Sequence, residues 1–293
     1  MNPIGANAWI WVSPPTDERL AWLAPRVAEL GFDQIELPVE TIGDWDPVRT
    51  ADLLAGLGLR ASVCCAMGPG RDLTTGDRET TRDTQDYLRT CVDAVATLGG
   101  DIVCGPIYAP VGRTWLMEPD ERATIVARIV AGLAPVAEYA GERGVRLAVE
   151  PINRFETSVL NTVEQTLDVI SGVNSNSCGI LLDTFHMNIE EKHPAEAIRL
   201  AGKHLVHLHA CGSDRGAPGA DHTPWGDIRA SLAEIAYAGS VVIESFTSEN
   251  VTIATAASIW RPLAASQDAI AIDGLAFSRG LFGHDTPEAG GVG

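Results

Sequence analysis

Four apolar runs in the second half of the chain each end on a side chain able to bind a cation. Val149-Glu150, Leu182-Asp183, Leu208-His209 and Ile243-Glu244 place three carboxylates and one imidazole 33, 26 and 35 residues apart. A buried carboxylate without a partner costs several kcal/mol or more, so an acid closing an apolar run calls for a cation, a set of donors or open water. Any one of the four, taken singly, reads as a helix N-cap or a solvated loop residue. Four in register read differently. Three converging acids would repel one another and be forced to protonate, whereas one divalent ion offsets most of that charge. The oxygen-rich set with one nitrogen suits Mn2+, Co2+ or Mg2+, and it lacks the thiolates that favour a structural zinc site.

Other candidates surround these four. His186 follows Asp183 in Leu181-Leu-Asp-Thr-Phe-His-Met-Asn-Ile-Glu-Glu191 and is placed to touch a substrate or to serve as a loop hydrogen-bonding residue. His207 shares the strand face of His209 one layer deeper, where an interior histidine with satisfied nitrogens is the plainer reading. Arg154 and Glu156, in Asn153-Arg-Phe-Glu156, form either part of the mouth or a loop salt bridge. Arg215, in Gly212-Ser-Asp-Arg-Gly216, lies in a loop that either folds over a ligand or is solvated. Trp9, Trp11 and Trp115 fall near the ends of the first and fourth strands, where they line a pocket or pack in the core; Trp22 and Trp260 read as core residues on helical faces.

These residues need a scaffold that brings successive strand ends to one rim. The spacing of one βα unit between neighbouring candidates is that scaffold's signature. Short β-rich runs are predicted at 4–11, 34–39, 60–65, 102–108, 145–150, 178–183, 205–210 and 241–244, with amphipathic helices at 17–30, 78–98, 120–143 and 162–170. Leu20, Leu23, Val27 and Leu30 mark the apolar face of the first helix. Thr162-Val-Glu-Gln165 fits a capping box, and Gly31 and Gly144 fit helix stops ahead of strands. Eight β-then-α units without a composition break favour a single-domain α/β protein, a closed (β/α)8 TIM barrel over residues 1–285, with a flexible tail at 286–293. A doubly wound dinucleotide fold would carry GxGxxG after an early strand, and the first strand here runs into Ala8-Trp-Ile-Trp11 instead.

Composition sets the outer bounds. At 293 residues, 45% hydrophobic and 20% charged, the chain is an ordinary globular one. A net charge of -18 without a Lys/Arg cluster argues against nucleic acid. No apolar run approaches a membrane span and the N-terminus lacks a signal-peptide pattern, so neither a membrane partner nor export is expected. Six cysteines without CxxC spacing point to reduced, buried thiols and a cytoplasmic location.

Together, Glu150-Pro-Ile-Asn-Arg-Phe-Glu156, Val159-Leu-Asn-Thr162, the 181–191 run, His207-Leu-His209 and Val242-Ile-Glu-Ser-Phe246 resemble the ketose 3-epimerases, the D-tagatose and D-psicose (D-allulose) 3-epimerase family of the xylose-isomerase-like barrels. The resemblance is strongest over 145–261. It implies that Glu150, Asp183, His209 and Glu244 hold Mn2+ or Co2+, that Glu150 and Glu244 are also the acid/base pair, and that Glu156, His186 and Arg215 bind the reacting end of a ketose. A homodimer or homotetramer is the assembly it implies. The chain departs from better-known members at Ile243-Glu-Ser-Phe246, in the loop after His209 and at Ala6 and Ala8, where several relatives carry aromatics, so the preferred sugar does not carry over. A sugar or inosose isomerase on the same scaffold and a non-catalytic sugar-binding barrel are the alternatives; a metal-dependent endonuclease would want more histidines and a basic surface.

Overall fold

A computed structural model describes residues 2–283. The predicted tail at 286–293 lies outside them. Eight parallel strands close into one barrel in sequence order: β1 (Ile4–Asn7), β2 (Gln34–Val39), β3 (Arg60–Cys65), β4 (Ile102–Gly105), β5 (Arg146–Val149), β6 (Cys178–Asp183), β7 (Leu205–Ala210) and β8 (Val241–Ile243). Closure is made by β1 on β8, with Ile4 opposite Val241 and Ala6 opposite Ile243. The (β/α)8 expectation is met, and four strands begin and end where the sequence placed them.

The remaining strands stop short for local reasons. β1 ends at Asn7 because its side-chain oxygen accepts from Trp9 N at 2.9 Å and turns the chain into a 3-10 turn, Ala8–Ile10. β4 ends at Gly105, whose φ of 118° leaves the strand region as only glycine does freely. β5 and β8 finish one residue before Glu150 and Glu244, which therefore sit on the rim itself.

Helices wrap the barrel: α1 (Asp17–Leu30), α2 (Pro47–Leu57), α3 (Arg78–Thr97), α4 (Pro119–Gly141), α5 (Val163–Val173), α6 (Thr184–Glu190), α7 (Pro194–Ala201), α8 (Trp225–Glu234), α9 (Val251–Ala256) and α10 (Gln267–Phe282). Caps fix their starts, Thr16 for α1, Asp46 with Pro47 at N1 for α2, and Ser266 for α10. Thr162 caps α5 by accepting from Gln165 N, while Gln165 Oε1 reaches Asn161 N at 2.8 Å, so the reciprocal half of the box falls one residue early. Gly31 ends α1 in the left-handed region; Gly144, also left-handed, stands in the turn after α4 has ended. α4 is long and apolar enough to span a bilayer, yet it packs between α3 and α5, with Ile129, Leu133 and Val136 buried.

Two aromatic expectations are corrected. Trp22 is 58% exposed, because the buried stripe of α1 runs through Leu20, Leu23, Ala24 and Val27 and leaves position 22 on the opposite face. Trp260 is 75% exposed and lies beyond the end of α9, outside any helix. The main core fills the space between sheet and helices, and a smaller apolar cluster of Cys64, Ile102, Cys104, Ala148 and Leu181 plugs the barrel interior. All six cysteines are free and buried.

Candidate metal centre and active site

Glu150, Asp183, His209 and Glu244 each offer a ligand atom within 4.8 Å of the others, and all four are buried. Their convergence follows from the barrel, since each stands at or beside the C-terminal end of one of four neighbouring strands. Asp183 answers to both readings of a strand-end acid. Its Oδ1 accepts from Phe185 N at 2.8 Å and caps α6, and its Oδ2 lies 3.9 Å from His186 Nε2 and contacts Arg215.

Arg215 is drawn into this cluster and is not solvated. Its guanidinium contacts Asp183 Oδ2 and donates to Glu244 Oε2 at 3.0 Å, with the rings of Phe185 and Phe246 each 4.7 Å away. Its loop backbone is in the left-handed region, with φ of 72°. His186 is buried and neutral: burial, then Arg215 and His209, push its pKa well below the ordinary imidazole value. Asn153 N donates to its Nδ1 at 3.1 Å, which fixes the tautomer. The proton therefore sits on Nε2, 3.7 Å from Glu150 Oε1 and 3.9 Å from Asp183 Oδ2. Glu156 accepts from Asn153 Nδ2 at 2.8 Å, so one asparagine holds both residues.

The charges are arranged unequally. Burial and then the neighbouring Glu244 raise the Glu150 pKa well above the usual carboxylate range. Burial also acts on Glu244, but His209 and Arg215 outweigh it and hold that carboxyl below its ordinary value. Asp183 is raised by burial, against the pull of Arg215. His209 is resisted by burial yet held protonated by Glu244 and Glu36.

A divalent cation fits this set. Glu150 Oε1 and both nitrogens of His209 are buried without an aligned hydrogen-bond partner, although His209 Nδ1 lies 3.2 Å from Glu244 Oε2 and Nε2 lies 2.8 Å from Glu36 Oε1. The distances are those of hydrogen bonds and the angles are not. Buried polar atoms rarely stay unpaired, and an imidazole nitrogen beside three carboxylates is metal-ligand chemistry.

The cluster opens into a cavity of about 440 Å³ whose floor includes Glu150, Glu156, His186, Arg215 and Glu244. Trp9 lines it; its Nε1 donates to Glu40 at 2.8 Å. Trp11 and Trp115 do not line it. Trp11 donates to Asp268 on α10, and Trp115 packs against Arg113 and donates to Glu121. The two alanines of the first strand region, Ala6 and Ala8, are fully buried in the core and stay out of the cavity. Arg154 pairs with Glu190, at 3.0 Å, and not with Glu156, because Glu156 turns inward to Asn153 while Arg154 is exposed.

Three residues of the site had no place among the sequence candidates: Glu36, Asn7 and Asn153. Glu36, in the apolar run Gln34-Ile-Glu-Leu-Pro-Val39, carried the same signal as the strand-end acids, since it interrupts a buried strand with a charge. His207 is the satisfied interior histidine expected at one nitrogen, Nε2, which pairs with Glu36 Oε2 at 2.8 Å; its Nδ1 has no partner.

The chain matches the model of the xylose isomerase-like TIM barrel family over residues 24–279. It is 38% identical to a probable ketose 3-epimerase of Synechocystis sp. over 85% of this chain and 86% of that protein. It is 32% identical to a D-psicose 3-epimerase of Agrobacterium fabrum over 88% of this chain and 92% of the other. A crystal structure of a Methylomonas sp. D-allulose 3-epimerase in complex with D-allulose superposes with a TM-score of 0.88 at 29% identity, covering 96% of this chain and 97% of that one. The strand-end cluster and these likenesses agree: the chain belongs to the xylose isomerase-like TIM barrel family and, within it, to the ketose 3-epimerases.

Proposed function

We propose that Glu150, Asp183, His209 and Glu244 hold one divalent ion, Mn2+ or Co2+ with Mg2+ as a third choice, and that the protein inverts C3 of free ketohexoses. The pairs intended are D-tagatose with D-sorbose and D-fructose with D-psicose. The observation carrying this reading is the meeting of two buried glutamates, Glu150 and Glu244, in one cluster of four candidate ligands at the floor of one cavity. A proton next to a ketone is weakly acidic, and a bound divalent ion would stabilise the enediolate charge left by its loss.

The protein's own residues do the rest. Glu150 and Glu244, both at the cavity floor, form the acid/base pair: one removes the C3 proton, the other returns one to the opposite face, and the two trade roles according to the direction of the reaction. His186, with its proton fixed on Nε2, and Arg215 bind and polarise the carbonyl end, and Glu156 accepts from a sugar hydroxyl. The buried free thiols support a cytoplasmic location. A homodimer or homotetramer is the assembly proposed.

Product analysis tests the reaction. Mn2+-loaded protein is expected to convert D-tagatose to D-sorbose and D-fructose to D-psicose, and chelation is expected to abolish both. Aldose products would assign a sugar isomerase instead, and binding without turnover would leave a sugar-binding barrel.

A further inference from the structure

Below the proposed centre lies a second group of potential ligands, Glu36, Cys104, His207 and His209, also within 4.8 Å of one another. Their hydrogen bonding argues against a second cation. Glu36 Oε1 accepts from Asn7 Nδ2 at 3.1 Å, and Oε2 accepts from Ser62 Oγ at 2.8 Å, pairs with His207 Nε2 at 2.8 Å and takes the Cys104 thiol at 3.3 Å. Donors from four other strands thus fill both oxygens. A carboxylate so surrounded is a fixed point, and it is fully buried on the barrel axis.

Two proposed ligands rest on that point. His209 turns Nε2 toward Glu36 Oε1, 2.8 Å away, and its other nitrogen, Nδ1, toward Glu244. Asn7 Nδ2 bridges Glu36 Oε1 and Glu244 Oε1, at 3.1 and 3.2 Å. We infer that Glu36 is a positioning residue for the metal centre: its Oε1, 2.8 Å from His209 Nε2 though not aligned with it in the chain without a cation, faces that nitrogen so that the proton stays on Nε2 and Nδ1 is left to the ion, and through Asn7 it fixes the rotamer of Glu244. Metal-bound histidines depend on such an acceptor for their tautomer and ring orientation. Ser62 belongs to the support of Glu36, at the end of a chain running from Ser240 through Gln34.

The inference rests on the metal site proposed above, and direct metal binding separates the two. Apo protein is titrated with Mn2+ by calorimetry, and the visible spectrum of the Co2+ form is recorded, for wild type, Glu36→Gln and Ser62→Ala. Glu36→Gln is expected to raise the Mn2+ Kd roughly 10- to 100-fold and to change the Co2+ bands, because the ligand field alters when His209 and Glu244 lose their orientation. Ser62→Ala, which leaves the carboxylate with its other donors, is expected to stay within about threefold of wild type and to keep its spectrum. Folded Glu36→Gln protein with wild-type Kd and spectrum overturns the inference. Wild type that binds no metal overturns the metal site itself. Should Glu36→Gln fail to fold, proton–nitrogen NMR of Mg2+-loaded wild type carries the test: a slowly exchanging Nε2 proton on His209 supports the role, and a rapidly exchanging one overturns it.

Discussion

Glu150 and Glu244 are the same residue type on the same rim, yet the fold treats them oppositely. Burial, reinforced by Glu244, raises the Glu150 pKa, so above the ordinary glutamate value the folded chain without a cation keeps a proton that the unfolded chain releases. Its contribution to stability is therefore present below that ordinary value and lost as pH rises through the raised one. Glu244 has the reverse sign: His209 and Arg215 outweigh burial and depress it, so its contribution is present above the ordinary value and lost as pH falls through the lowered one. Both Glu→Gln variants are expected to lose turnover by at least about 100-fold. In chelator-treated protein near neutral pH, however, Glu150→Gln should raise Tm and Glu244→Gln should lower it. Calorimetry across the pH range checks this, and shifts of one sign for both variants would contradict it. The four proposed ligands could be singled out in the sequence because a charge closing an apolar run is conspicuous there, whereas Arg215, in a loop, drew its role only from the family resemblance. Glu36 carried the same mark but sat inside a run, and Asn7 and Asn153 are neutral amides that only three-dimensional partners distinguish.

At the scale of elements, β6 and β7 approach each other closely. Both carry a proposed ligand, and their register shifts between Ile180 and Leu181. Gly179 permits this: a Cβ there would stand 2.7 Å from the carbonyl oxygen of His204 and 2.6 Å from Val206 Cγ1. Gly179→Ala is expected to cost about 1–3 kcal/mol, because backbone must move to admit the methyl. Spreading the strands would also separate Asp183 from His209, so Mn2+ affinity should fall together with Tm; a variant with unchanged Tm and affinity would show that the close approach is not needed. Strand and helix periodicity revealed most elements in the sequence, down to the residue for β2, β3, β6 and β7 and for α1. The errors lie where side chains overrule periodicity. Asn7 caps a turn inside the run predicted as the first strand, and Trp22 rides the outer face of a helix whose apolar stripe was otherwise read correctly.

For the whole molecule, closure is what makes a site from scattered residues. Pairing of β1 with β8 sets Asn7 beside Glu244, residues 237 apart in the chain, and completes the ring of strands beneath the cavity. Fold class could be read from eight repeated units, whereas sugar preference depends on the cavity wall and assembly on the outer surface, neither of which has a period. The central claim is that two glutamates act on opposite faces of one sugar carbon. Incubating metal-loaded protein with D-fructose in heavy water, then removing the metal and recording NMR spectra, tests it most directly. Deuterium at C3 in recovered D-fructose and in D-psicose, absent with Glu150→Gln or Glu244→Gln, is the predicted result. Deuterium at C1 or C2 of an aldose product, or no exchange at any carbon, would contradict it.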